Sequence, residues 1–276
     1  MTSRDKIRPA SMAGFFYPAD KFVLERDLSL LLENSPIAEV PNTIRGIIVP
    51  HAGYLYSGGV AARAYRQIME PKYDFAVIIA PSHEETFDFI SIYPGRGLRT
   101  PIGDLSIEMS VVDRLTFAHP DIRLSEKGYS SGEYSLEAQL PFLKWVQDAI
   151  QIVPIMMGNQ NEKFIHLLTR VLTDLLKGEN CLLIASTDLS HNHSDQEARM
   201  LDQVVIGHIN AFDPDQLLAD VYERRCEMCG YGPTAVVMRV ARTMGASRAQ
   251  VLLYRNTGDI TGEKSNVVGY LSAIIF

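Results

Sequence analysis

No stretch of this chain is apolar over the ~20 residues that a membrane-spanning helix needs. No basic run is present either: 26 Lys and Arg and 33 Asp and Glu are interspersed, for a net charge of −7. Neither nucleic acid nor an anionic membrane surface is therefore expected as a main partner. The start, Met1-Thr2-Ser3-Arg4-Asp5-Lys6, is polar with no apolar segment behind it, so a secretory signal is not expected. Three cysteines in 276 residues make no disulfide scaffold and fit a reducing cytoplasm. No linker, low-complexity tract or whole-chain repeat is visible. With 46% hydrophobic residues, a substantial core is available. The expectation is a soluble, cytoplasmic α/β protein with one domain over residues 1–276.

What the chain does have is a series of apolar, β-branched runs separated by helical patterns. Residues 45–49, 75–80 and 181–186 read as buried strands. Continuous apolar runs alternating with helices predict a central, mixed but mostly parallel sheet flanked by helices. Further strands are expected at 89–93, 150–156, 250–254 and 267–275. Pro154 would place the second of these at an edge or bulge. Helices are expected after Asp20, with Leu24, Leu28 and Leu31 on one face, and from Ser57, with Ala61, Ala64, Tyr65 and Ile68. Others are predicted at 106–117, 133–145 (interrupted at Pro141), 162–176, 196–212, 214–222 and 230–244. The stiff aromatic lead-in from Arg8 to Pro18 is expected to dock on the body of the domain.

Three apolar runs end in a histidine within a few residues. Pro50-His51 follows 47–49, Pro81-Ser82-His83 follows 77–80, and Asp188-Leu189-Ser190-His191 follows 182–186. Ligands of open α/β sheets gather beyond the carboxyl ends of the strands. Imidazole is the commonest metal ligand because its neutral form offers a lone pair near pH 7. Three histidines at equivalent positions predict convergence on one site, while His119, His166, His193 and His208 are scattered and read as structural. Asp188 could bind a metal or orient an imidazole; it could equally cap its own turn.

Arg225-Cys226-Glu227-Met228-Cys229-Gly230 carries the remaining chemistry. Cys229 lies just before a predicted helix N-terminus, where the dipole favours a thiolate. A thiolate beside two imidazoles suits copper, iron or zinc. Cys226 and Cys181 read as small buried residues, although spacing alone does not choose between Cys226 and Cys229. Glu133 and Glu137 fall at i, i+4 spacing, so Glu137 could face the same pocket.

The assembled motifs resemble the Memo family, called AmmeMemoRadiSam system protein B in bacteria and archaea. The resemblance runs from Arg8-Pro9-Ala10 and Ala13-Gly14-Phe15-Phe16-Tyr17-Pro18 through Pro50-His51-Ala52-Gly53-Tyr54 and Pro81-Ser82-His83. It continues through Ser135-Leu136-Glu137, Gln139-Leu140-Pro141-Phe142-Leu143 and Asp188-Leu189-Ser190-His191 to Cys229-Gly230 and Val267-Val268-Gly269-Tyr270. It implies a fold like class III extradiol dioxygenases. It also implies His51, His83 and Cys229 as metal ligands, the adjoining Gly230 selecting Cys229, with Asp188, His191 and Glu137 as catalytic candidates. Iron or copper is implied before zinc. Two positions depart from the family pattern: Tyr134 where a histidine is common, and Asn192 where an aromatic is usual.

The function expected is metal-dependent redox or oxygenase-like chemistry on a small molecule. Two alternatives are a non-enzymatic module that binds a peptide or ligand in the same pocket, and a Cys229-dependent hydrolase. The resemblance also implies a pathway shared with a radical-SAM protein.

Overall fold

In the computed structural model, which describes residues 5–40 and 43–276, the apolar runs become the centre of a large mixed sheet. The polar start Met1–Arg4 lies outside the described residues. In chain order the elements are β1 (Ile7–Arg8), α1 (Lys21–Glu33), β2 (Gly46–Val49), α2 (Tyr54–Gln67), β3 (Phe75–Pro81), β4 (Ile90–Ile92), β5 (Gly97–Thr100) and β6 (Gly103–Ser106). Then come α3 (Met109–Ala118), β7 (Ile122–Leu124), a 3-10 turn (Glu137–Gln139), α4 (Leu140–Val146), β8 (Gln151–Met157), α5 (Glu162–Leu175), β9 (Cys181–Ser186) and β10 (His191–His193). The chain closes with α6 (Asp195–Asn210), α7 (Pro214–Tyr222), α8 (Tyr231–Thr243), β11 (Ala249–Asn256), α9 (Gly258–Thr261) and β12 (Val267–Ile275).

Within the large sheet, parallel strand pairing is confined to the central run β2-β9-β3-β8 and to the β4–β7 pair. Antiparallel strands flank that centre, with β12 against β2, β11 and β10 beyond it, and β4 against β8. Every residue of β2, β3 and β9 is buried, because helices cover both faces. One layer holds α2 over β2 and β12, with α1 and α4 against it; the other holds α8 over β2, β3 and β9, flanked by α5 and α7. One contiguous apolar core joins the two layers, so the described residues form a single α/β domain.

Several local expectations change. Residues 133–136 are not helical; they form a turn, and Pro141 sits in the first turn of α4, where a proline is tolerated. Glu133 and Glu137 consequently share no helical face. Pro154 lies in the interior strand β8 instead of at an edge, opposite Ile78 of β3. Its carbonyl points away from β3 and accepts from Tyr129 Oη at 2.9 Å. The nitrogen and carbonyl of one extended residue face the same side, so its nitrogen lies where β4, paired only from Ile155 onward, demands no donor. Helix α2 starts at Tyr54, three residues before Ser57, its first N–H donating to the Phe16 carbonyl (2.7 Å). A small separate sheet, β1-β5-β6, joins residues 7–8 to residues 97–106, neither of which carries a periodic signal.

Candidate metal centre

The strands β2, β9 and β3 are neighbours and parallel, so their carboxyl ends share one edge. His51 lies two residues past β2, Asp188 two past β9 and His83 two past β3. The fourth contributor, Cys229, comes from the loop that opens α8. That loop is pinned to the end of β9: Cys229 N–H donates to the Asp188 carbonyl (3.2 Å), and Gly230 N–H donates to Thr187 Oγ1 (2.9 Å). A Cβ at Gly230 would overlap the Ser186 carbonyl and the Thr187 side chain, so only glycine allows this close approach. Gln160 fastens the other side, donating to the Cys229 carbonyl (2.8 Å) and accepting from Gly232 N–H (2.9 Å).

One donor atom from each of His51, His83 and Cys229 lies within 4.8 Å of the other two. The neighbours decide what those atoms offer. Ser186 Oγ gives its single proton to the Ser135 carbonyl (2.6 Å) and accepts from Gln139 Nε2 (2.8 Å). Gln139 Nε2 also donates to the Pro50 carbonyl (2.9 Å), while its Oε1 accepts from Tyr65 Oη (3.0 Å), which fixes the amide orientation. The contact of 2.9 Å between His51 Nδ1 and Ser186 Oγ must then be an N–H donation. The Nε2 lone pair of His51 therefore faces Cys229 Sγ at 3.2 Å.

His83 is set the same way by Glu133. That carboxylate, 2% exposed, lies 3.3 Å from His83 Nδ1. It also accepts from the backbone N–H groups of His83 (2.5 Å), Tyr134 (3.1 Å) and Ser135 (3.0 Å). Burial opposes its charge, yet the donors from His83 and Ser135 hold its carboxyl at about 2. An ionised Glu133 takes a proton-bearing Nδ1, and Nε2 is the free nitrogen of His83. Burial, then the neighbouring His83, pushes His51 well below the usual imidazole range, so it is neutral near pH 7.

Asp188 is buried; its Oδ1 accepts from His51 N–H (2.8 Å), and its Oδ2 lies 3.9 Å from His51 Nε2. Burial raises its carboxyl. Its own N–H points at Cys229 Sγ (3.1 Å). Burial, then the charge of Asp188, pushes the Cys229 thiol up. A cation among these donors would favour the charged forms of both groups. The donor set fits a metal: two imidazole lone pairs with fixed tautomers and one sulfur, converging on one point. Tyr134 closes the site, its ring stacked on His83 at 5.0 Å and 3°, with Phe16 against its outer side at 4.7 Å.

The family model described as "Memo-like protein" matches residues 8–274. The chain belongs to the Memo family. A MEMO1 family protein of Methanosarcina mazei is 34% identical over 273 residues, covering 98% of this chain and 99% of that one. Another, from Aquifex aeolicus, is 33% identical with the same coverage. The crystal structure of the uncharacterized protein JW3007 from Escherichia coli K12 shares the fold, with a TM-score of 0.56 at 13% identity. It covers 85% of this chain and all of that one.

Within this Memo-family chain, the expected residues divide. His51, His83, Cys229 and Asp188 come together. His191 sits exposed on β10, near enough for its charge to bear on His51 and Asp188. Glu137 faces elsewhere: its buried carboxylate pairs with Arg8 and accepts from Met12 N–H (2.7 Å) and Tyr17 Oη (2.7 Å), fastening the aromatic lead-in. Cys226 and Cys181 are buried and fall outside the converging donor group, and His193 and His208 pair with Glu227 and Asp220. Sequence reasoning missed Ser186, Gln139 and Glu133 as orienting groups, and Asp202, which accepts from Ser190 N–H (3.0 Å) and Tyr254 Oη (2.7 Å) beneath the Asp188–His191 turn. The available signal was a polar residue embedded in an otherwise apolar segment.

Proposed function

We propose that His51, His83 and Cys229 hold one transition-metal ion, iron or copper before zinc, in a metal-dependent oxidoreductase with a small-molecule substrate. The observation that carries this reading is the pair of hydrogen-bond relays, Gln139–Ser186–His51 and Glu133–His83. Each fixes an imidazole so that its free lone pair converges on Cys229. Sulfur with two imidazoles favours a soft or borderline ion. Three protein donors leave coordination positions open, as catalytic metal sites do. Bound iron or copper would supply electron-transfer or oxygen chemistry at those positions. The chain's own residues orient the ligands, and Asp188 beside His51 with His191 at the rim supplies proton-handling groups. The Cys229-dependent hydrolase is disfavoured, because burial and Asp188 work against a free thiolate.

Anaerobic titration with cobalt(II) or copper tests the reading. A sulfur-to-metal charge-transfer band should grow in and vanish in Cys229→Ser; a wild-type protein that shows no such band contradicts it.

A second reading, a peptide-binding module, is favoured by the apolar groove of Phe15, Phe16, Leu30, Leu31, Tyr54 and Leu55, which meets the site at Phe16. It predicts peptide binding that is lost in Phe16→Ala and indifferent to metal.

A further inference from the structure

The two candidate histidine ligands are not equally held. The His51 side chain is 1% exposed and walled in by protein, whereas that of His83 is 27% exposed, at the rim. The side-chain hydrogen bond from His83 to Glu133 spans 3.3 Å, just beyond the usual N–H···O range. It restrains Nδ1 only. The last torsion of a histidine is broad, and every turn about it re-aims the lone pair of Nε2, which lies in the ring plane.

Tyr134 supplies the missing restraint. Its ring lies 3° from parallel with the His83 imidazole at 5.0 Å and meets His51 edge-on at 5.7 Å, so one ring contacts both ligands. Phe16 packs against that ring at 4.7 Å. Phe16 is in turn fixed from both directions. Met12 N–H and Tyr17 Oη each donate to the buried Glu137 carboxylate (2.7 Å), and Phe16 N–H donates to the Met12 carbonyl (2.9 Å). The Phe16 carbonyl accepts from Tyr54 N–H (2.7 Å), the residue that opens α2 three positions after His51. The neighbours of Tyr134 serve the same two ligands. Glu133 takes His83 Nδ1, Ser135 Oγ donates to the Pro81 carbonyl (2.6 Å) just ahead of His83, and the Ser135 carbonyl takes the Ser186 proton in the relay to His51.

We infer that Tyr134 is a positioning residue of the metal centre: its ring fixes the plane of the His83 imidazole, and the aromatic lead-in, through Phe16, holds that ring in place. The inference rests on the metal reading above. It gives the Arg8–Glu137 pair a role at a distance, because the segment it anchors is the one that carries Phe16 to the site. The face of the ring carries the effect, so another aromatic ring at this position suffices and an aliphatic side chain does not.

The test loads the full chain with cobalt(II), a redox-quiet ion, and reads two quantities. Competition with a chelator gives the affinity. Proton NMR gives the exchangeable Nδ1–H resonances that cobalt shifts, one for each imidazole bound through Nε2, that of His83 being the one absent from His83→Ala. Tyr134→Phe should match the wild type in both. Tyr134→Leu should bind cobalt about tenfold more weakly, as loss of an orienting group does. Its His83 resonance should exchange faster with solvent while that of His51 stays in place. Phe16→Leu, one ring further out, should act in the same direction by a smaller factor, and it carries the test if Tyr134→Leu does not fold. Wild-type affinity and resonances in both leucine variants overturn the inference. So does a Tyr134→Phe chain that behaves as Tyr134→Leu, because the hydroxyl would then be what matters. Equal disturbance of both resonances with a lowered urea midpoint of metal-free Tyr134→Leu also overturns it, making the residue a support of the fold. A wild-type chain that takes up no cobalt removes the metal reading itself.

Discussion

Ser186 Oγ stands 2.9 Å from His51 Nδ1 and has no proton left to give it, because that proton is committed to the Ser135 carbonyl. The acceptor character of this one hydroxyl determines which nitrogen of His51 is free. Ser186→Ala should lower metal affinity roughly 10–100-fold, as loss of an orienting group does at other metal sites. Competition titration against a chelator measures it; unchanged affinity would mean that His51 needs no such support.

Glu133→Gln should act on His83 in the same direction. The amide cannot match a carboxylate that accepts from four backbone N–H groups and His83 Nδ1. We expect weaker metal binding together with a stability loss of about 1–3 kcal/mol. Urea unfolding of the metal-free variant reads the second effect separately from the first.

Gly230→Ala should be among the most damaging small substitutions. The new methyl would meet the Ser186 carbonyl and Thr187, and relief requires moving the loop that carries Cys229. A destabilisation of about 1–3 kcal/mol is expected, with metal binding impaired beyond it. An alanine variant with wild-type stability and affinity would show that this loop is not held closely against β9.

Acid stability should carry the signature of Asp220. Hydrogen bonds from His208 and Arg225 hold its carboxyl at about 2, below its ordinary 3.8. A depressed carboxyl stabilises the fold above the unfolded value, and that contribution fades as pH falls from 3.8 toward 2. Asp220→Asn should therefore flatten this part of the stability curve while lowering stability at pH 7. Unfolding midpoints at pH 5 and pH 3 check it; parallel curves for variant and wild type would remove Asp220 from the acid limb.

Much of this architecture was legible because buried strands are written as continuous apolar runs. The runs at 181–186 and 267–275 coincide with β9 and β12. The convergence of His51 and His83 followed from one rule about strand ends; the third histidine expected there, His191, lies exposed on β10, and Asp188 of the same turn meets His51 instead. What escaped has physical reasons. Strand β1, two residues long, carries no periodicity, and the 133–136 turn looks helical until Glu133 is seen folding back onto the N–H groups around it. The i, i+4 spacing of Glu133 and Glu137 suggested one shared face; the turn instead sends Glu133 to His83 and Glu137 to Arg8. Ser186 and Gln139 showed only as polar residues within apolar segments, since a serine or glutamine states its partner only when the fold supplies one.

The central claim is that His51, His83 and Cys229 hold a metal. Elemental analysis by mass spectrometry of the full chain, purified without chelator, tests it most directly. About one iron, copper or zinc ion per chain is predicted for the wild type, falling toward zero in His51→Ala and Cys229→Ser. A wild-type chain with none of these metals, or variants that retain the wild-type amount, would contradict it.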